Sequence, residues 1–154
     1  MRYLLPALCV LWMIFIWHFS FSPATESAET SDGVLEILNG LLEKTDIAIR
    51  FSGHMVRKTA HFAEFFVLGC LAAGAGLSLW LEFPFFTAGL AVVFTALTDE
   101  TIQRFVPGRA ARFTDVLLDS TGGICGVLAV FLFYLLAMRR KRKLAACRGI
   151  PQNK

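Results

Sequence analysis

Charged residues are scarce in this chain of 154 residues. They form 18% of it, whereas 56% of the residues are hydrophobic and the mean hydropathy is +0.60. Average soluble domains have about 25% charged and 45–50% apolar residues, so an ordinary soluble globule is not expected. Lys and Arg outnumber Asp and Glu by 15 to 12, a surplus too small and too unevenly placed to indicate nucleic-acid binding. We predict a membrane protein with no nucleic-acid partner.

Metal-binding and nucleophile motifs are also missing. Cys9, Cys70 and Cys125 lie inside apolar stretches and Cys147 lies in a basic tail, with no C-x-x-C pair among them. A lone histidine, His61, accompanied by scattered carboxylates is a weak pattern for metal ligation. We therefore predict no metal site and no cofactor, and the catalytic residues, if the protein is an enzyme, stay unknown.

Charge is wholly absent from four long stretches, at 3–25, 65–81, 83–98 and 120–138. A bilayer core of about 30 Å requires roughly 20 apolar residues in each crossing helix. The sequence thus predicts an all-α membrane protein, a bundle of four transmembrane helices at about 3–21, 58–81, 83–104 and 115–138. These spans form one transmembrane domain over 1–138, and the short 81–84 corner predicts antiparallel neighbours.

The first apolar stretch permits two interpretations. Arg2, the apolar run after it and the small residues at 22–24 resemble a cleavable signal peptide. The run is longer than the 7 to 15 apolar residues typical of such peptides, and it carries the bulky Trp12 and Trp17. We favour an uncleaved membrane anchor, since cleavage would leave only three spans.

The connection between the first two spans contains a second apolar pattern. Five apolar residues recur there at helical spacing behind a Ser31-Asp32 capping signal. These are Val34, Ile37, Leu38, Leu41 and Leu42. One apolar face on an otherwise polar, acidic segment predicts a short amphipathic helix that lies on the membrane surface.

The orientation follows from the last segment of the chain. Residues 139–154 contain seven basic residues and no acidic residue. Because cytoplasmic flanks of spans are enriched in Lys and Arg, this segment is predicted to be a cytoplasmic tail, and four spans return the amino terminus to the same side. Residues 22–56 and 105–114 are then extracytoplasmic.

The polar residues near the spans share one depth. Glu64 lies 18 residues before Glu82 and Glu100 lies 18 residues after it, so both stand about 27 Å from the inner corner at 1.5 Å per residue. The residues at this level are His61, Glu64, Asp99, Glu100, Gln103, Asp115 and Asp119. Ionisable residues at the edge of lipid usually face the bundle interior and mark functional positions, although solvated helix ends are the alternative explanation.

Basic residues at the same boundary need a local reason, because the positive-inside rule depletes them there. They are Arg57, Lys58, Arg104, Arg109 and Arg112. Pairing with the nearby carboxylates is one explanation; the other is an anionic ligand held by the planar two-pronged guanidinium of arginine. The Pro107-Gly108 pair predicts a tight turn that aims Arg109 back over the helix ends.

Three motifs carry a specific resemblance. They read Arg57-Lys58-x-x-His61-Phe62-x-Glu64, then Asp99-Glu100-x-x-Gln103-x-Phe105-x-Pro107-Gly108-Arg109, then Asp115-x-x-x-Asp119-x-x-Gly122-x-x-x-Gly126. In order, spacing and membrane setting they resemble the VanZ-like family of bacterial membrane proteins, the teicoplanin-resistance protein family, over about 10–138. Asp119 departs from the asparagine common in the family, and 110–113 departs from its small Gly/Ser-type segment.

The resemblance implies a small multi-pass protein of the bacterial plasma membrane. The arginine set points to membrane lipids and an anionic cell-wall precursor as expected partners. We expect it to bind an anionic envelope component and to affect glycopeptide susceptibility. The predicted ligand-binding residues are Arg57, Lys58, His61, Glu64, Asp99, Glu100, Gln103, Arg109, Arg112, Asp115 and Asp119. The alternative is a membrane enzyme that performs acid-base chemistry on a lipid-linked substrate, with His61, Glu64, Asp99 and Glu100 as candidate catalytic groups.

Overall fold

Five α-helices make up the protein. The computed structural model describes residues 2–43, 51–109 and 112–147, and within these ranges it contains no β-strand. The helices are α1 (Leu4–Ser20), α2 (Ala24–Glu43), α3 (Gly53–Ser78), α4 (Pro84–Gln103) and α5 (Phe113–Cys147). The all-α prediction is confirmed.

Three of these helices are long and apolar enough to cross a membrane, namely Gly53–Ser78, Pro84–Gln103 and the Phe113–Leu144 part of α5. The count rises to four when α1 and the start of α2, which meet at a bend of 107°, are taken together as one broken span. The architecture is compatible with the predicted four-helix bundle. α5 continues past Met138, so the start of the basic tail is a helical extension of the last span.

The amphipathic segment begins earlier than predicted. α2 starts at Ala24, directly after Pro23, and Ser31 lies inside the helix, where its hydroxyl donates to the carbonyl of Ser27 at 2.8 Å. The prediction that Ser31-Asp32 caps the helix is therefore wrong. A serine can lie inside a helix when its hydroxyl bonds to a carbonyl of the preceding turn. Proline, whose φ is fixed, is well suited to the start of a helix. Leu38, Leu41 and Leu42 have side chains outside the described set.

Small residues set the distance between α3 and α5, which form the most extensive helix pair. A Cβ added at Gly122 would lie 2.5 Å from the backbone oxygen of Phe62, and one added at Gly126 would meet the oxygen of Phe66. The predicted packing role of this G-x-x-x-G pair is confirmed. A Cβ added at Gly123 would clash with the Val92 side chain of α4, so the three glycines of α5 serve two neighbouring helices.

The chain path places the polar residues at one end of the bundle. At the other end, the Arg2 guanidinium donates to the carbonyl of Leu79 at 3.1 Å, which joins the start of α1 to the turn between α3 and α4. Between the two ends lies a core of fully buried apolar side chains. It includes Phe65, Leu68, Ala73, Val92 and Ala96. The polar end of the bundle therefore holds the end of α1, the start of α3, the end of α4 and the start of α5.

Candidate functional site

Three ligand-type side chains from three helices meet at the centre of the polar end. His61 of α3, Asp99 of α4 and Asp119 of α5 each offer an atom within 4.8 Å of the other two. Asp99 is fully buried and Asp119 is 2% exposed. The depth argument from the sequence placed them at one level, and the structure also places them side by side.

Asp99 is held from two sides. The Ser20 hydroxyl at the end of α1 donates to Oδ1, and the Gln103 amide, one turn further along α4, donates to Oδ2 at 2.7 Å. The Gln103 contact is the one expected from i, i+4 spacing. Ser20 was missed as a site residue; its signal was its position at the end of the first apolar stretch, on the same side of the membrane as Asp99.

Glu100 and Glu64 have structural contacts at the same end of the bundle. Oε1 of Glu100 accepts the backbone N–H of Arg112, just before α5 begins, and Oε2 is buried without a partner. Glu100 thus positions the entry to α5 through a carboxylate at a helix amino terminus. The backbone oxygen of the half-buried Glu64 accepts a hydrogen bond from the Trp12 indole N–H at 2.9 Å, which fixes α1 against α3.

Arg109 is positioned by the turn that its sequence predicts. The N–H of Arg109 donates to the carbonyl of Val106 at 3.2 Å, and Gly108 has φ +79°. Proline followed by a left-handed glycine is the pattern of a type II turn. The side chain then reaches the corner between α1 and α2, where Nε donates to Ser22 O at 3.0 Å and Nη2 donates to Phe19 O at 3.4 Å.

The structure does not show the pairing explanation for Arg109, because its guanidinium bonds no carboxylate; the anion-binding explanation stays a prediction. Two of its five N–H donors bind the backbone carbonyls of Phe19 and Ser22 at the corner between α1 and α2. Burial lowers the pKa of this guanidinium, and the Asp99 carboxylate opposes that shift by raising it. An arginine starts so far above neutrality that it keeps its charge.

The pairing explanation holds for one basic residue among those described. Lys58 Nζ lies 2.9 Å from Asp115 Oδ1, with about a third of each side chain exposed. Arg57 is half-buried and its Nε has no hydrogen-bond partner. The Arg104 and Arg112 side chains are exposed. Most of the positive charge at this end is therefore not used in pairing with carboxylates.

A cavity of about 240 Å³, which we call the basic cavity, opens between α3, α5 and the loop before α5. Its charged and polar lining is Arg57, Lys58, His61, Gln103, Arg109, Arg112, Asp115, Asp119 and His54. His54 was not among the residues predicted from the sequence. It stands at i, i+4 and i+7 with Lys58 and His61, and that helical spacing was the available signal.

A second cavity of about 250 Å³ lies beneath α2, and we call it the α2 cavity. Its apolar lining includes Ile16, Phe19, Val34 and Val56, with serines and Thr30 of α2 and the Glu64 side chain completing it. Both cavities are lined by Arg57, His61 and Arg109. These three residues form the wall between a cationic chamber and a more apolar one.

The structure brings most of the predicted residues to this end of the bundle. The basic cavity and its centre include all of the predicted ligand-binding residues except Glu64, which lines the α2 cavity, and Glu100, which binds the Arg112 backbone. Their binding role stays a prediction. Arg104, exposed beyond α4, lines neither cavity.

Comparison with known proteins identifies a family for this arrangement. A sequence model described as VanZ/LLP1 matches residues 5–136. That range includes all five helices up to the last turns of α5 and every residue of the two cavities. No curated protein and no solved structure matches the chain.

Proposed function

This chain belongs to the VanZ/LLP1 family of membrane proteins, and from its site we propose that it binds an anionic component of the cell envelope. The class is a lipid phosphate or a cell-wall precursor. The binding site is the basic cavity at the polar end of the bundle, and the observation that carries the proposal is the surplus of cationic side chains in its lining.

The charge balance of the basic cavity favours an anion. Four cationic side chains line it against two carboxylates, Asp115 and Asp119, and Asp115 is already paired with Lys58. Arg57 keeps an unpartnered Nε, and Arg109 has further N–H donors beyond the two that bind carbonyls. Guanidinium groups with free donors bind phosphate and carboxylate oxygens in two-pronged geometry.

The α2 cavity supports an amphiphilic ligand over a free inorganic anion. It adjoins the basic cavity along Arg57, His61 and Arg109 and presents aliphatic and aromatic side chains from α1, α2 and α3. A ligand with a charged head and a hydrocarbon or prenyl chain can place each part in the chamber that suits it. Lipid phosphates and lipid-linked cell-wall precursors have this construction.

The membrane setting completes the proposal. The basic segment after Met138 favours a cytoplasmic location for both termini. With that orientation, the two cavities would lie on the outer face of the bacterial plasma membrane. Cell-wall precursors are displayed on that face, and glycopeptides act on them there. Altered glycopeptide susceptibility is the expected physiological consequence of binding.

Native mass spectrometry of the purified full chain tests the proposal through a matched pair of arginines. Arg57→Gln removes a cavity guanidinium, whereas Arg104→Gln removes an exposed one outside both cavities. Since charge-assisted hydrogen bonds contribute about 1.5–3 kcal/mol, occupancy by co-purified or added anionic lipid should require about tenfold more lipid in Arg57→Gln. Equal lipid occupancy of wild type and Arg57→Gln would refute it.

A membrane enzyme acting on a lipid-linked substrate is the second candidate. It is favoured by His61 Nδ1 and Asp119 Oδ1, which are buried beside the basic cavity without hydrogen-bond partners. Such groups can accept or donate protons to a bound molecule. His61→Ala separates the two functions. An enzyme with this change still binds the lipid but no longer turns it over, whereas a binding protein shows no turnover as wild type or variant.

A further inference from the structure

The central cluster contains two carboxylates whose burial needs compensation. Asp99 and Asp119 are almost completely buried, and neither forms an ion pair within the described part of the chain. Buried charges in proteins are normally paired with opposite charges or bound to metal ions. A dication beside two carboxylates and a neutral imidazole leaves no net charge at the cluster.

From this geometry we infer that His61, Asp99 and Asp119 bind one divalent transition-metal ion of the zinc type. Three protein ligands with a further position left for water or substrate are typical of catalytic zinc sites. The imidazole distinguishes this set from the all-oxygen sites preferred by magnesium and calcium.

The distances permit such a site with small side-chain adjustments. Ligand atoms bound to one zinc ion at about 2.0–2.1 Å lie about 3.4 Å apart in tetrahedral geometry. The three atoms now lie within 4.8 Å of one another, so each has to move by less than about 1 Å towards a common centre. The side chains come from three packed helices.

Two polar atoms of the cluster are buried without a hydrogen-bond partner. The Asp119 side chain is only 2% exposed, and its Oδ1 has no hydrogen-bond partner. The buried Nδ1 atom of His61 also has no hydrogen-bond partner. Unpartnered buried polar atoms are rare and expensive in folded proteins. Coordination of one ion would satisfy both atoms at once.

The remaining contacts of Asp99 have the form of an outer ligand shell. Ser20 and Gln103 donate to its two oxygens from outside the cluster, which fixes the carboxylate and leaves further lone pairs free for an ion. Hydrogen bonds that orient ligands in this way commonly change metal affinity 10- to 100-fold when removed. Because His61 and Asp119 also line the basic cavity, a bound ion has access to its contents.

The test is zinc binding by the full chain in detergent. After chelation and addition of Zn²⁺ alone, elemental analysis should find about one zinc per wild-type chain. His61→Ala and Asp119→Asn should lose at least about tenfold in affinity, and Gln103→Leu should lose about tenfold through its outer-shell contact. His54→Ala and Asp115→Asn are the matched controls in the same cavity and should retain zinc.

Thermal unfolding provides a second readout that does not depend on variant yield. An ion that binds only the folded protein raises the melting temperature of the wild type, and it should not raise that of Asp119→Asn. Zinc binding unchanged in both His61→Ala and Asp119→Asn would overturn the inference, because the cysteines or other histidines would then hold the ion. Absence of zinc from the wild type, or equal preference for Mg²⁺, would overturn it as well.

The metal site rests in part on the proposed anion-binding cavity, but separate experiments can refute the two proposals. Arg57→Gln should reduce lipid occupancy while leaving zinc binding intact, since Arg57 is not a ligand of the cluster. Asp119→Asn should reduce zinc binding in protein stripped of lipid, which requires no anion. Unchanged lipid occupancy in Arg57→Gln would refute the anion site alone, whereas unchanged zinc binding in both His61→Ala and Asp119→Asn would refute the metal site alone.

Discussion

Arg109 shows how a single side chain can hold a corner of the bundle together. Its guanidinium joins the loop before α5 to the backbone carbonyls of Phe19 and Ser22, at the junction of α1 and α2. Those carbonyls lie at a helix carboxyl terminus, where a positive charge is favoured. The residue thus stabilises the frame around both cavities and also lines them.

Replacing Arg109 by lysine should therefore destabilise the protein even without a ligand. Lysine keeps the charge but cannot donate from the Nε and Nη2 positions together. We expect Arg109→Lys to lower the free energy of unfolding by about 1–2 kcal/mol and Arg109→Ala by slightly more. Thermal unfolding in detergent measures this, with the exposed Arg104→Lys as control; equal melting temperatures for Arg109→Lys and wild type would contradict the tethering role.

The Lys58–Asp115 ion pair should contribute little to stability. Its side chains are 36% and 32% exposed, so solvent screens their attraction and ordering two side chains opposes it. A double-mutant cycle of Lys58→Ala and Asp115→Ala should give a coupling free energy below about 1 kcal/mol. A coupling of several kcal/mol would show that lipid or protein shields the pair far more than its exposure indicates.

At the scale of elements, the contact between α3 and α5 depends on missing side chains. Gly126 lies against the Phe66 carbonyl, and an added Cβ would also lie 3.0 Å from the Cys70 nitrogen. Lipid tails are as apolar as the helix surfaces, so no hydrophobic effect drives helices together in a membrane. Their association relies instead on close backbone approach of this kind. The same face of α5 carries Asp119, so the packing of small residues fixes the height and rotation of the central cluster.

Two glycine substitutions separate packing from helix propensity. Gly126→Ala adds a methyl group against backbone atoms, which should destabilise the fold by about 1–3 kcal/mol. Gly89→Ala adds the same group on α4, where nothing lies within 4 Å, and should be neutral or stabilising by up to about 1 kcal/mol. Unfolding in detergent measures both; comparable stability of the two variants would mean that α3 and α5 do not rely on this contact.

At the scale of the whole molecule, the polar end and the basic end have opposite chemistry. Arg2 and the turn after α3 share one end with the basic extension of α5, while both cavities lie at the other. The membrane therefore separates a charged tail from a ligand-sized site. Which end faces the cytoplasm decides whether that site can meet external cell-wall material.

Cysteine labelling of intact cells tests this orientation. In a chain without its native cysteines, Thr30→Cys on the exposed face of α2 should react with an impermeant maleimide, and Lys143→Cys should be protected. Permeabilised cells provide the control, because both thiols should then react. The reverse pattern would place the cavities in the cytoplasm and remove external precursors as ligands.

The sequence by itself determined the class of protein, the approximate positions of the apolar helices and the end of the bundle that carries the polar residues. The physical reasons are general: hydrocarbon excludes charge, and a helix rises by a fixed 1.5 Å per residue, so depth can be counted along the chain. It also determined the Pro107-Gly108 turn and the close packing at Gly122 and Gly126, because these depend on residue type and local spacing. The VanZ-like family assignment is confirmed over 5–136.

Only the tertiary structure decided which side chains meet. The rotation of each helix about its axis brings Asp99 to Ser20 and gathers His61 beside Asp119, and no spacing within one helix specifies that rotation. Arg109 had several charged partners within reach in the sequence, yet the loop carries it to the backbone carbonyls of Phe19 and Ser22, because the packed helices decide which groups lie beside the loop.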